Sequence, residues 1–163
     1  METLRELAGP GDLVERLCRV TNEHDLAGVG ACFAVDYRLE MPTHPGRDFV
    51  GREQVLRNWS RIFAGVPDIA VDARWVTDGD TAWSEWEMRG TRRDGSPHLM
   101  RGIIIFRVRD GEFSSARFYV EPVEQGGLGV DEAISQTVQV GAAPTVSGPG
   151  AVAPGAESAG TGR

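Results

Sequence analysis

The sequence contains no lysine: all 17 basic side chains among its 163 residues are arginine. No lysine of this chain can therefore form a Schiff base with a carbonyl substrate or hold a phosphate in a Walker-type loop. Acidic side chains number 24, which leaves a net charge of −7. Because nucleic acids and anionic membranes attract basic surfaces, this charge argues against both as partners.

Cysteine and histidine are also scarce. Cys18 and Cys32 have no CxxC spacing, so we expect buried thiols without a disulfide. His24, His44 and His98 stand apart with no HxH or HxxxH spacing, so no metal site is predicted. The sequence has no glycine-rich loop between a strand and a helix and no GxSxG motif. Neither a nucleotide or other cofactor nor a serine nucleophile is therefore predicted.

Long hydrophobic runs are missing as well. No apolar stretch is long enough to span a bilayer, and no secretory signal is evident near the first residue, so we expect a cytoplasmic protein. Beyond residue 140 the chain is rich in glycine, alanine and proline. Residues 141–163 are predicted to form a disordered tail, because they cannot bury enough surface to offset their ordering entropy.

What is present predicts helices followed by a sheet. Asp12 is the expected N-cap of a first helix, and apolar spacing predicts further helices over 26–33, 52–64 and 130–138. Strands are predicted at residues 37–41, 69–77, 81–92, 98–109 and 112–120. Turns containing Asp and Gly join the last four strands, which therefore form an antiparallel meander. One curved sheet wrapped around helices is the natural α+β arrangement.

Two segments carry a resemblance to a known family: GREQVLRNWSRIF at 51–63 and FRVRDGEFSSARFYVEP at 106–122. Together with the order of elements, they resemble the SnoaL-like polyketide cyclases of the nuclear-transport-factor-2-like superfamily. The resemblance implies an α+β fold, in which a cone-shaped, curved antiparallel sheet wraps around three N-terminal helices. We expect this domain to cover residues 1–128 and a helical extension to cover 129–140.

The resemblance also implies an acid in a cavity. In that family the last hairpin ends in an aromatic-x-acid sequence whose acid faces the cavity, and Glu121 matches this position in place of the more usual Asp. An apolar lining would prepare this carboxyl group for acid/base work. Tyr119 or Arg117 would share the pocket and hold a substrate oxygen. An ion pair between Glu121 and an arginine at the end of the sheet is the equally open alternative.

The register of the last hairpin decides which residue neighbours Glu121. A two-residue turn at Asp110-Gly111 would put Met100 opposite Glu121. A three-residue loop with a glycine bulge would present Arg101 instead, because a slip of one residue exchanges the faces of a strand. The sequence does not choose between Met100 and Arg101.

Further candidates lie on other elements. Glu40 and His44 precede the third helix and could move a proton near the cavity mouth, although a solvent-exposed loop histidine is the simpler interpretation of His44. Trp59, Trp86 and Arg101 are candidate substrate contacts. In the strand WSEWEMRG either the glutamates or Trp86 and its neighbour Met88 face inward, and the second option is the simpler one.

These residues predict a cofactor-independent enzyme that acts on a small hydrophobic, oxygenated metabolite. Glu121, with His44 or Glu40, would drive cyclisation, isomerisation, dehydration or epoxide opening, and the resemblance implies polyketide or other secondary metabolism. The alternatives are a non-catalytic small-molecule-binding or dimerising domain, and a scaffold whose own Trp and Phe side chains fill the cavity. Because the apolar side chains of the last hairpin cannot all face one pocket, a homodimer through the sheet is expected.

Overall fold

The structure is a computed structural model that describes residues 7–139. Its helices are α1 (Pro10–Asn22), α2 (Leu26–Ala31), α3 (Arg52–Gly65) and α4 (Val130–Val138), with a short 3-10 helix at Pro45–Arg47. Its strands are β1 (Phe33–Glu40), β2 (Phe49–Val50), β3 (Ala70–Asp78), β4 (Thr81–Thr91), β5 (Pro97–Arg109), β6 (Glu112–Phe118) and β7 (Glu121–Pro122). The predicted tail at 141–163 lies outside the described residues.

Within the described residues, the chain divides into two compact units, 7–124 and 125–139. The first contains the sheet and helices α1 to α3, and the second contains α4, whose bounds match the helix predicted at 130–138. The domain boundary predicted at residue 128 stays a prediction.

The predicted α+β class with one curved sheet is confirmed. The strand order is β2-β1-β6-β5-β4-β3, and β7 pairs with β5. Strands β3 to β6 form the predicted antiparallel meander. The pairing of β1 with β6, however, is parallel, so the sheet is not antiparallel throughout. Parallel neighbours need a long connection, and α3 with the first three strands of the meander supplies it.

Helix α1 packs against β3 through an apolar stripe that includes Leu13 and Leu17, both buried. The helix begins at Pro10, with Gly9 as its N-cap, so the prediction that Asp12 is the N-cap was wrong. Asp12 lies in the first turn of the helix, where its carboxylate accepts a hydrogen bond of 3.0 Å from the backbone N–H of Gly9. An acidic side chain in the first turn also stabilises the positive end of the helix dipole.

The last hairpin combines features of both predicted registers. Arg109 pairs with Glu112, so the turn has two residues. The ladder then moves by one residue, because the next pairs are Val108 with Phe113 and Arg107 with Ser115. Ser114 is therefore a β-bulge, an extra residue on one strand. Beyond it, Arg101 lies opposite Glu121. The hairpin thus has the two-residue turn of the first alternative, but the residue opposite Glu121 is Arg101, as in the second alternative.

Both cysteines are free, as predicted, and Cys32 is completely buried at the end of α2. Burial raises the pKa of the Cys32 thiol from 9.0 to about 11. Burial and the nearby carboxylate of Asp72 raise the pKa of the Cys18 thiol to about 12. Both thiols therefore stay protonated at neutral pH and are poor nucleophiles.

These thiols make stability depend on alkaline pH. We expect the free energy of unfolding to fall as the pH rises from about 9 to about 11, because the folded protein keeps the Cys32 proton that the unfolded chain has released. Urea unfolding at pH 8 and pH 11 measures the fall. Cys32→Ala should make it smaller, with the remainder coming from Cys18 and Tyr37, whose pKa burial also raises. An equal fall in the variant would contradict the assignment.

Candidate active site

A cavity of about 520 Å³ is bounded by α3 and by strands β1, β4, β5 and β6. Most of its lining is apolar, and the side chains from α3 recur at helical spacing: Val55, Trp59 and Ile62. Ligand sites of this size are typically apolar with a few polar groups that orient the ligand. The cavity is therefore large enough for a small hydrophobic molecule.

Trp86 and Met88 face the cavity, which confirms the simpler of the two orientations predicted for this strand. Their neighbour Glu85 is exposed on the outer face, as the alternation of side chains in β4 requires. The Trp86 indole N–H donates a hydrogen bond of 2.8 Å to Ser84 Oγ, which in turn donates one of 2.6 Å to the Ile104 carbonyl oxygen. Since these polar atoms are paired, Trp86 presents apolar surface to the cavity.

His44 and Glu121, two of the predicted catalytic residues, meet at the edge of this cavity. Their Nε2 and Oε1 atoms are 2.7 Å apart, although 77 positions separate the residues in the chain. Strand β7 holds Glu121 against β5, and the His44 backbone N–H donates to the Met41 carbonyl oxygen at 2.8 Å. Neither side chain belongs to the lining, but Met41 and Gly46, on either side of His44 in the chain, do.

The pair is open to solvent as well as adjacent to the cavity. The side chain of His44 is 36% exposed and that of Glu121 is 43% exposed. A carboxylate bonded to an imidazole that water can reach is able to exchange protons with its surroundings. A hydrogen-bonded carboxylate and imidazole are the kinds of group that general acid/base chemistry uses.

Comparison with known proteins assigns the unit that contains the sheet to a family. A family model described as the SnoaL-like domain matches residues 14–116. The chain belongs to the SnoaL-like domain family. Among curated proteins none matches it.

Solved structures extend the comparison of this SnoaL-like chain. IdmH from Streptomyces antibioticus, a proposed polyketide cyclase, is 25% identical, with a TM-score of 0.61 over 70% of this chain and 93% of IdmH. A loop-truncation variant of IdmH is 27% identical, with a TM-score of 0.60 over 69% of this chain and 92% of the variant. A proposed ketosteroid isomerase from Kribbella flavida shares the fold, at 21% identity and a TM-score of 0.57 over 74% of this chain and 83% of that protein.

The other predicted site residues of the SnoaL-like domain are spread over several places. Trp59 and Trp86 both line the cavity. Glu40 and Arg117 lie opposite each other on β1 and β6, with 3.5 Å between the carboxylate and the guanidinium, and both are exposed. Arg101 lies opposite Glu121, but its Nε donates to Glu87 at 2.8 Å.

Tyr119 is half-buried, and it lies outside the lining together with Glu40, Arg117 and Arg101. Glu121 is bonded to His44 rather than to an arginine. The catalytic and binding roles assigned to all these residues stay predictions.

Sequence reasoning missed polar residues of the SnoaL-like domain that do line the cavity, among them Tyr37, Gln54 and Asn58. Burial raises the pKa of Tyr37 well above its usual range, so its hydroxyl remains a hydrogen-bond donor at neutral pH. Gln54 and Asn58 could have been found, because they are four residues apart beside the apolar stripe of α3 and so share one side of the helix.

Within 7–139, no three His, Cys, Asp or Glu side chains come together as a possible metal-binding group. None of the helices described here is long and apolar enough to cross a membrane. The cytoplasmic location stays a prediction.

Proposed function

We propose that this SnoaL-like protein is a cofactor-independent acid/base enzyme for a small hydrophobic, oxygenated molecule. The observation that carries the proposal is the 2.7 Å hydrogen bond between His44 and Glu121 at the edge of an apolar cavity of about 520 Å³. The similarity to IdmH, a proposed polyketide cyclase, supports a role in polyketide or other secondary metabolism.

Proton transfer at a carbon next to a carbonyl group is the chemistry that this pair fits. The Glu121 carboxylate takes a proton from that carbon, and the electron pair of the C–H bond passes to the carbonyl oxygen as an enolate. The carboxyl group then returns the proton, while the His44 imidazole fixes the orientation of the carboxylate. Cyclisation and isomerisation both begin with such a proton removal, whereas dehydration or epoxide opening uses the acid form of Glu121.

A simple ketone tests the proposal without knowledge of the natural substrate. 2-Tetralone is a mostly apolar ketone that is smaller than the cavity. Its protons on the carbons next to the carbonyl group exchange with deuterium through the enolate. We expect the protein to accelerate this exchange in D₂O above the rate in buffer, followed by NMR. Exchange at the buffer rate, with the ketone bound, would contradict the proposal.

A non-catalytic small-molecule-binding domain is the second candidate. It is favoured by the position of His44 and Glu121, since neither belongs to the lining of the cavity. A binding domain would hold 2-tetralone without accelerating its exchange, so the same experiment separates the two functions.

We also propose that a second copy of this chain binds to the outer face of the sheet. Trp83 is 52% exposed there, beside the ion pairs Arg74–Glu85 and Arg101–Glu87, each 2.8 Å long. A two-fold axis can place the arginines of one copy against the glutamates of the other, around an apolar centre.

Light scattering after size exclusion measures the oligomeric state. We expect the wild-type protein to be a dimer at micromolar concentration. Trp83→Glu should be a monomer, because a buried unpaired carboxylate is unfavourable. The control Trp83→Phe should remain a dimer. A monomeric wild-type protein would contradict the proposal.

A further inference from the structure

Three polar side chains on α3 form a chain of hydrogen bonds beside the cavity. Arg57 Nη2 donates to Gln54 Oε1 at 2.7 Å, and Gln54 Nε2 donates to Asn58 Oδ1 at 2.8 Å. The residues are three and four positions apart, so they are neighbours on the helix surface. Arg57 is exposed, whereas Gln54 and Asn58 are half-buried and line the cavity.

The two hydrogen bonds among Arg57, Gln54 and Asn58 determine which end of the Asn58 amide is free. A guanidinium group has only donors, so Gln54 must present its oxygen to Arg57. Gln54 must then present its NH₂ group to Asn58, which can accept only through its own oxygen. The Asn58 NH₂ group is left without a hydrogen-bond partner among residues 7–139, and it is not sealed inside protein, since Thr21 Oγ1 alone is both buried and unpartnered there.

We propose that Asn58 Nδ2 donates a hydrogen bond to an acceptor oxygen of the bound molecule, and that Arg57 and Gln54 are positioning residues. This inference rests on the proposed function and narrows its substrate class to compounds with an apolar body and a carbonyl or ether oxygen. An oxygen without a donor in an apolar cavity is strongly disfavoured, because it has lost its bonds to water. Asn58 supplies such a donor in a lining that is mostly apolar and in which Tyr37 and Arg47 also carry donors.

The matched pair 2-tetralone and its hydrocarbon tetralin isolates this hydrogen bond. By isothermal titration calorimetry we expect the full-length protein to bind 2-tetralone about 3- to 10-fold more tightly than tetralin, the effect of one net hydrogen bond. Asn58→Leu, which keeps the approximate volume of the side chain, should remove this preference, so that the variant binds 2-tetralone no more tightly than tetralin.

Gln54→Glu tests the orienting role separately. A carboxylate can only accept, so it would turn the Asn58 amide and present Oδ1 to the cavity. The affinity for 2-tetralone should then fall, and the affinity for 2-naphthol, which donates a hydrogen bond, should rise. A merely structural role of Gln54 would change both affinities in the same direction.

The outcomes that overturn the proposal are specific. Equal binding of 2-tetralone and tetralin by the wild-type protein, or no binding of either, overturns it whatever the exchange rate. Loss of the preference in Tyr37→Phe or in Arg47→Leu, but not in Asn58→Leu, also overturns it, since Tyr37 and Arg47 are other donors in the lining. Preferential binding without accelerated exchange would leave this inference standing and contradict only the proposed catalysis.

Discussion

Replacement of Glu121 by glutamine is expected to slow the deuterium exchange of 2-tetralone by on the order of 10²-fold or more, the usual contribution of a general base. The amide has nearly the volume of the carboxyl group, and its oxygen can still accept from His44 Nε2, so the local structure should persist. An amide cannot take a proton from carbon, however. NMR of the exchanging protons measures the rate.

Glu85→Gln is the matched control for this variant. Glu85 is an exposed carboxylate on the outer face of β4, bonded to Arg74 at 2.8 Å and absent from the cavity lining. Its removal should leave the exchange rate unchanged. Equal rates in Glu121→Gln and the wild-type protein would rule out Glu121 as the base.

His44 should show a graded effect in the same assay. His44→Gln retains a donor that can reach Glu121, whereas His44→Leu does not, so the glutamine variant should keep more of the wild-type rate. If both variants lost the same activity, orientation of Glu121 through a hydrogen bond would not be the role of His44.

Replacement of Gly102 by alanine is expected to lower the free energy of unfolding by about 3 kcal/mol, the sum of backbone strain and overpacking. Gly102 has a φ of +155°, a backbone angle that residues with a side chain rarely adopt. An added Cβ would also lie 2.7 Å from Val120 Cα and meet the Tyr119 carbonyl oxygen. Both neighbours are backbone atoms, and Val120 is fully buried, so they cannot move aside cheaply.

Urea unfolding of Gly102→Ala and of Gly65→Ala gives the comparison. Gly65 lies in the last turn of α3, where an added Cβ meets nothing within 4 Å. Alanine also favours a helix over glycine, so the Gly65 variant should be as stable as the wild-type protein or slightly more stable. A Gly102 variant that unfolds at the wild-type urea concentration would show that β5 and residues 119–120 can separate without loss of stability.

The helices and the meander could be predicted from the sequence because each element repeats its own apolar period. Strand β4 is an example, since Thr81–Thr91 differs by one residue from the predicted strand. Strand β1 begins at Phe33, whereas it was predicted to begin at Tyr37. The prediction was wrong because the apolar residues after α2 also fit the end of a helix. Its parallel pairing with β6 depends on tertiary contacts that no local pattern encodes.

The candidate site was less accessible from the sequence. His44 was one of two residues predicted to assist Glu121, but their direct contact joins a loop to a strand 77 positions away and follows from no spacing. The hydrogen-bonded chain on α3 was accessible in principle, since Gln54 and Asn58 are one helical turn apart. It was overlooked because the apolar residues beside them explain the same helix as core.

The extra residue at Ser114 has a consequence for aligning this chain with its relatives. An alignment counted from the Asp110-Gly111 turn would place Glu121 one position away from the equivalent acid of a relative without the bulge, because the register of the ladder shifts by one residue between that turn and Arg107. Deleting Ser114 should leave the pairs from Arg107 with Ser115 onward intact. A sequence with one residue fewer in this hairpin should therefore be aligned with its gap at Ser114, which keeps equivalent acids in one column.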